Sequence, residues 1–487
     1  MFSPFVRSLL VAVIIPAVAL AIDPKAATPP VAQKKEHKFE LHGQTITDDY
    51  TWLKDKKSAD TLAYLEAENA YAAAVMKPTE KLQQKLYDEY LSRIKQTDLS
   101  VPYRDGNYWY YSKTFEGKQY PTYCRKKGSL DAAEEVILDV NELAKGEKFM
   151  SARVADVSDD GTKIIFLSDT TGFREYMLSV KDLTTGKVLE DKFVKASDVT
   201  WAADGKTLFY VTEDAAKRAH KLWRHTVGEA KDVLVYEEKD ELFRLGVARS
   251  KDKKYLFHVS GSSTSSEQRY LPADTPAAEW KTILPREDKH EYSADHRDGL
   301  FYLRTNRDGA TNFKVMTCPV ADASDPKKWK DFLPHNPKAL LQGVSLFKNY
   351  AVIGEREAGI PQIRVHSFAD NTSYRIEWPE PVFSSGAGAN PEFDLEKIHV
   401  SYTSMVTPAS VYEFDLKTKA KKLLKQQEIP AGYKPEEYVS EWVFTTAKDG
   451  TKVPISIVYK KGLKKDGTAP VLLYGYGSYG ASASVNF

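Results

Sequence analysis

The sequence predicts a mainly β chain built around a seven-bladed β-propeller, with helices ahead of it and the start of an α/β layer behind it. Three observations predict this. Short alternating apolar runs recur at one large period, and the turns between them carry Asp-Gly, Asn and Lys. Tyr and Phe, which favour pleated, half-buried surfaces, number 28 and 21 among 487 residues.

The repeat begins near Pro102. Centre strands are expected at 108–111 after Asp105-Gly106-Asn107, at 164–167 after Asp160-Gly161, at 208–211 after Asp204-Gly205 and at 255–259 after Asp252. Three more are expected at 300–303 after Asp298-Gly299, at 350–353 after Phe347-Lys348-Asn349, and at 398–402. Their spacing, roughly 44 to 55 residues, is that of a four-stranded blade, which buries both faces only when such units stack in a ring. Two unrelated β-sandwiches would show short strand intervals without the longer period. The propeller is placed at 101–428.

Ahead of it, Arg7 precedes an apolar run over 8–21 that ends in Ala19-Leu20-Ala21, the pattern of a secretory signal peptide at 1–21. At about fourteen residues the run is short for a bilayer span. Export to the periplasm or the medium is expected, with no stable membrane association once the leader is cleaved; a mis-assigned start would leave a cytoplasmic protein. Residues 22–38, rich in Pro, Ala and Lys, read as a solvated linker. A helical segment follows at 39–100. Its first helix, 60–76, is opened by Ser58 or Asp60; its second starts near Thr79 and aligns Leu82, Leu86, Tyr90, Leu91 and Ile94 on one stripe before the polar break at 97–100. Both are expected to pack and not to carry chemistry.

Composition removes several functions. A net charge of +1 leaves no basic excess for phosphates, so nucleic acid is not an expected partner. Cys124 and Cys318 are too few and too far apart for a disulfide framework or a CxxC site, and are expected to be two buried thiols. The ten histidines include no HExxH pair, so neither metal nor cofactor is expected.

Behind the propeller, the pattern breaks at Ile429-Pro430-Ala431-Gly432, and 429–487 resumes as longer strands at 441–446, 452–459 and 471–474. The last is continuously apolar, as in a strand buried on both faces. It empties into Gly475-Tyr476-Gly477-Ser478-Tyr479-Gly480, where glycines allow close backbone approach at the strand's C-terminal edge. The letters match GxGxxG, but the 487 residues end before the helix and the acidic residue about twenty positions on that a dinucleotide fingerprint needs, so it is not read as one. Ser478 has Tyr476 where GxSxG requires glycine, and reads as a turn residue. On its own, Tyr476 reads as a packed tyrosine.

The string YGYGSYG at 474–480, preceded by KKGLKKDGTAPVLL from Lys460, resembles the first loop of the peptidase domain in the prolyl oligopeptidase family, and most closely its oligopeptidase B branch. DYTWL at 49–53, YLEAEN at 64–69, SVPY at 100–103, GKQYP at 117–121, LDVN at 138–141 and SYTS at 401–404 agree with it, so the resemblance covers 38–487. It implies that 429–487 begins an α/β-hydrolase domain, to which the helices of 39–100 also belong. The implied activity is a serine endopeptidase acting on oligopeptides after Arg or Lys, with the propeller admitting only short chains. Tyr476 would donate its hydroxyl to the oxyanion of the tetrahedral intermediate. In the family the serine, aspartate and histidine all follow this loop, so the triad is expected to be absent, the hydrolase domain truncated and this chain an inactive fragment. A prolyl-specific peptidase and an inactive secreted propeller that binds partners remain alternatives. The sequence does not specify an oligomeric state.

Overall fold

The computed structural model describes residues 28–478 and 481–487, so the expected leader at 1–21 lies outside the described residues. The chain divides into two units, Met1–Ile94 and Lys95–Phe487.

The first unit opens on a hairpin, Lys38–Leu41 with Gln44–Thr47, which is not predicted from sequence. Its turn residues His42 and Gly43 have φ of 51° and 73°, the left-handed values that a two-residue hairpin turn requires. Helix α1 spans Ala59–Met76, and the Ser58 side chain caps it by accepting a hydrogen bond from Thr61 N at 3.2 Å. A 3₁₀ turn at Lys77–Thr79 leads into α2, Glu80–Ser92. The expected packing stripe is not packed: Leu82, Leu86, Tyr90 and Ile94 are exposed. Helical period decides which side chains share a face, whereas burial needs an opposing surface, and none covers this face among the described residues.

Among the described residues, seven of the eight antiparallel sheets in the second unit are blades, each folded from consecutive strands. They start at Asp98–Leu99, Ser151–Val157, Ala196–Trp201, Arg244–Arg249, Tyr292–Arg297, Ala339–Leu346 and Ser384–Ala387, and are blades 1 to 7 in that order. The expected centre strands are the second strands of these blades: Tyr108–Thr114, Lys163–Asp169, Thr207–Glu213, Tyr255–Gly261, Leu300–Thr305, Tyr350–Glu357 and Lys397–Thr403. In blade 1 the innermost strand is broken into Asp98–Leu99 and Tyr103–Asp105, both paired to Tyr108–Thr114, with Pro102 between them. First strands stand side by side around the axis. Asp156 of blade 2 accepts a hydrogen bond from Trp201 N of blade 3 at 3.0 Å, and Asp198 of blade 3 accepts one from Val247 N of blade 4 at 2.9 Å.

Six joints between neighbouring blades are apolar. They are filled by Ile137, Val140 and Ile164 between blades 1 and 2, Leu167, Leu178 and Trp201 between 2 and 3, and Phe209, Leu222 and Leu256 between 3 and 4. Phe257 and Phe301 serve between 4 and 5, Tyr302 and Ile353 between 5 and 6, and Val365 and Phe414 between 6 and 7. Each such side chain contributes on the order of 2 kcal/mol when fully buried. Cys318 lies in the joint between blades 4 and 5, and Cys124 is likewise buried and unlinked. Burial pushes the thiols up, to about 12 for Cys318 and about 11 for Cys124, which leaves them unreactive near neutral pH.

The joint between blades 7 and 1 differs. A groove of about 610 Å³ replaces a core, bordered by Val101, Ser385, Ser401, Thr403 and Ser410. Tyr402, Ala409 and Val411 also line it, but the small serines and threonines beside them leave the space unfilled. Lys425 crosses it and donates to Asp98 Oδ2 and Leu99 O.

Beyond the ring, Tyr438–Thr446 and Lys452–Lys460 form a two-stranded hairpin. The strand expected at 471–474 is corrected by the structure: Val471, Leu472, Leu473 and Tyr474 are 86%, 93%, 84% and 78% exposed and belong to no sheet. An apolar run becomes a buried strand only when another strand pairs with it and helices cover it, and among the described residues neither does. No helix among the described residues is long and apolar enough to cross a membrane.

Candidate functional site

Tyr476 sits beyond the exposed 471–474 run, itself 55% exposed. A Cβ placed on Gly475 or Gly477 would meet nothing within 4 Å, so the close approach these glycines suggest is not made to any described residue. Ser478 lies in a bend, and its carbonyl accepts a hydrogen bond from Ala481 N at 3.0 Å, consistent with a turn role. Among the described residues, no hydrogen bond joins Tyr476 to a histidine or a carboxylate.

Histidines beside acids or hydroxyls do occur inside the propeller, and none completes an accessible nucleophile, base and carboxylate: His366 Nδ1 lies 3.0 Å from Oγ of the exposed Ser373, but among the described residues no carboxylate hydrogen-bonds that ring. His296 Nδ1 lies 2.6 Å from Asp252 Oδ2, but Gly299 N donates to its Nε2 at 3.2 Å, and Ser250 Oγ donates to Asp252 at 2.7 Å instead of meeting the ring. His225 is held between Asp191 and Asp232, each 2.7 Å from a ring nitrogen; the hydroxyl nearby, Tyr210 OH, donates to Asp232 at 2.7 Å and not to the ring. His290 Nε2 meets Thr305 Oγ1 at 2.8 Å, but Thr305 is 0% exposed. An acyl-transfer unit needs an accessible nucleophile, a base and a carboxylate in sequence, and these clusters stop short of it. Among the described residues no group of three or more His, Cys, Asp or Glu is arranged to hold a metal ion.

A charged cluster links the inner turns of several blades on one face of the ring. Lys253 of blade 4 donates to Asp105 of blade 1 at 3.0 Å and lies 3.2 Å from Asp159 of blade 2, which also pairs with Arg249 at 2.9 Å. Lys251, two residues earlier, donates to the carbonyl of Asn390 in blade 7 and lies over the Phe347 ring of blade 6 at 4.6 Å. Gly106 N of blade 1 donates to Glu392 of blade 7 at 2.5 Å. Burial pulls Lys253 down, but Asp105 and Asp159 outweigh it and leave the ammonium above its ordinary value. Burial dominates at Lys251 and lowers it to about 8, and at Asp295, which it raises to about 6 although Lys251 N donates to that carboxylate at 3.0 Å. These groups can bind and hold; no nucleophile stands among them. Sequence patterns do not single them out. The one signal is that the blade 4 turn reads Lys251-Asp252-Lys253 where blades 1, 2, 3 and 5 carry Asp-Gly.

A seven-sheet ring carrying YGYGSYG beyond it invites comparison with known proteins. The profile described as prolyl oligopeptidase, N-terminal beta-propeller domain, matches residues 29–427. The chain belongs to the prolyl oligopeptidase family. It is 42% identical to the dipeptidyl aminopeptidase BI of Pseudoxanthomonas mexicana over 95% of this chain and 66% of the relative, and 32% identical to protease 2 of Moraxella lacunata over 94% and 67%. Among solved family structures it is similar to oligopeptidase B from Leishmania major, with TM-score 0.89 at 28% identity over 95% of this chain and 69% of that one. Oligopeptidase B from Trypanosoma brucei, solved in a closed form with covalently bound antipain, gives TM-score 0.88 at 28% identity over 94% and 69%. The chain spans about two thirds of the length of the relatives it matches. This is the propeller portion of a family peptidase, as the strings at 49–53 and 474–480 lead one to expect.

Proposed function

We propose that this chain is the propeller-bearing part of a serine endopeptidase that hydrolyses short peptides after Arg or Lys, the ring limiting access to chains that can thread or slip past it. The observation that carries this reading is the joint presence of the family match over 29–427, which contains the seven blades, and the YGYGSYG loop after it. The triad would be supplied by sequence following that loop, and Tyr476 would stabilise the oxyanion there. The 487 residues contain no GxSxG and are proposed to be inactive by themselves. A second reading, removal of N-terminal dipeptides, is favoured by the 42% identity to a dipeptidyl aminopeptidase. Export by the leader at 1–21 is part of the proposal.

The reading frame beyond codon 487 is the first test: a GxSxG stretch followed by Asp and His is expected, and a stop codon there would overturn the peptidase reading for this polypeptide. Protein made from the longer frame is then assayed on fluorogenic peptides. Turnover of N-blocked substrates with Arg or Lys before the cleaved bond is expected. Cleavage confined to free-amine dipeptides would replace it with the second reading, and a preference for Pro would overturn both. The 487-residue chain should take no fluorophosphonate adduct by intact mass. After export, the mature chain should begin at Ile22.

A further inference from the structure

Every blade is folded from consecutive strands, so no strand from one end of the ring completes the sheet at the other. The joint between blades 7 and 1 also lacks an apolar core and holds a groove of about 610 Å³. Whatever keeps the ring shut there must be polar or must act from elsewhere. Counting around seven blades, blade 4 stands three blades from blade 1 and three from blade 7, directly opposite the open joint. Its inner turn crosses the axis and holds both sides of that joint, through Lys253 to Asp105 of blade 1 and through Lys251 to the Asn390 carbonyl of blade 7.

We propose that the Lys251-Asp252-Lys253 turn is an axial clasp that closes the ring in place of a shared strand. The direct link from Gly106 N to Glu392 completes a triangle of blades 1, 4 and 7 on the same face. Two consequences follow from the geometry. The centre of the ring on this face is crossed by the clasp, so it cannot widen there while Lys253 is paired. Release of the clasp removes blade 4's hold on blades 1 and 7 together and leaves the joint to its direct polar links, so widening at the axis and loosening of the open joint are coupled. Lys425 with Asp98, and Lys95 with Glu428 at 2.6 Å, hold the joint away from this clasp without spanning the axis. None of this depends on the peptidase reading.

The test is hydrogen–deuterium exchange by mass spectrometry on the 487-residue chain, comparing wild type with Lys251→Met/Lys253→Met. Exchange is expected to rise about tenfold in blades 1 and 7, at 103–114 and 384–403, while blades 3 and 5 stay within about twofold of wild type. Lys314→Met is the control: Lys314 pairs with Asp308 and Asp331, both at 3.0 Å and both within blade 5, and its loss should loosen blade 5 alone. Unchanged exchange in blades 1 and 7, or an equal rise in every blade, would overturn the proposal. Should the double variant not fold, Asp105→Asn, which keeps the shape and removes one charge, should give the same pattern at smaller amplitude. The same two contrary patterns in that variant would overturn it.

Discussion

His258 shows how costly a single polar side chain can be when its surroundings offer it nothing. Both ring nitrogens are buried without a partner among the described residues, between the rings of Tyr236 at 4.9 Å and Trp280 at 5.2 Å. Burial, reinforced by Arg269, depresses its pKa to about 3. A depressed folded-state value means that stability is fully present above the unfolded value of about 6.5 and is lost as pH falls toward about 3, by roughly 2 kcal/mol between pH 8 and pH 5. His258→Leu should therefore flatten the acid limb of the stability curve, measured by urea denaturation at the two pH values; an unchanged limb would refute the assignment. At Tyr476 the expectation belongs to the proposed peptidase: in protein carrying the triad, Tyr476→Phe should lower kcat by about 10²-fold with little change in KM. Neither residue is distinguished locally. Tyr476 is legible only through the letters around it, and Lys253 only as a departure from the Asp-Gly turns of other blades, because its partner Asp105 lies 148 positions away in the chain.

Elements were legible where their causes are local. An Asp-Gly turn followed by a short apolar run marks second strands because turn chemistry and pleat period act within a few residues. The α1 start was legible for the same reason. Ser58 Oγ accepts from Thr61 N and donates to Thr61 Oγ1 at 2.8 Å, so Ser58→Ala should cost about 1 kcal/mol, seen as faster amide exchange in the first turn of α1. A variant with unaltered exchange would show that the cap is dispensable. The 471–474 run was misread because its fate depends on partners that the run itself cannot encode. The Lys38–Thr47 hairpin was missed because its two strands are short and His42-Gly43 is a weaker turn signal than Asp-Gly.

At the scale of the molecule, the period of the repeat gave the number of blades but not the manner of ring closure. Closure depends on which two surfaces meet last, and the Ser384-Ser385-Gly386 string on the seventh blade is the only hint that this meeting is not apolar. The two kinds of joint should respond differently to truncation. Leu222→Ala, in the packed joint between blades 3 and 4, should cost about 3 kcal/mol, whereas Val101→Ala, beside the groove, should cost less than about 1 kcal/mol. Equal losses by urea denaturation would mean that the groove is filled in solution.

The exposed run at 471–474 has a practical consequence for handling the 487-residue polypeptide. Val471, Leu472, Leu473 and Tyr474 form a short, uncharged, β-prone window in open solvent. Such windows are adhesive between molecules because an unpaired backbone can recruit an identical neighbour. Purified chain should self-associate with rising concentration in light scattering, and Leu472→Lys should suppress this without altering the melting of the ring.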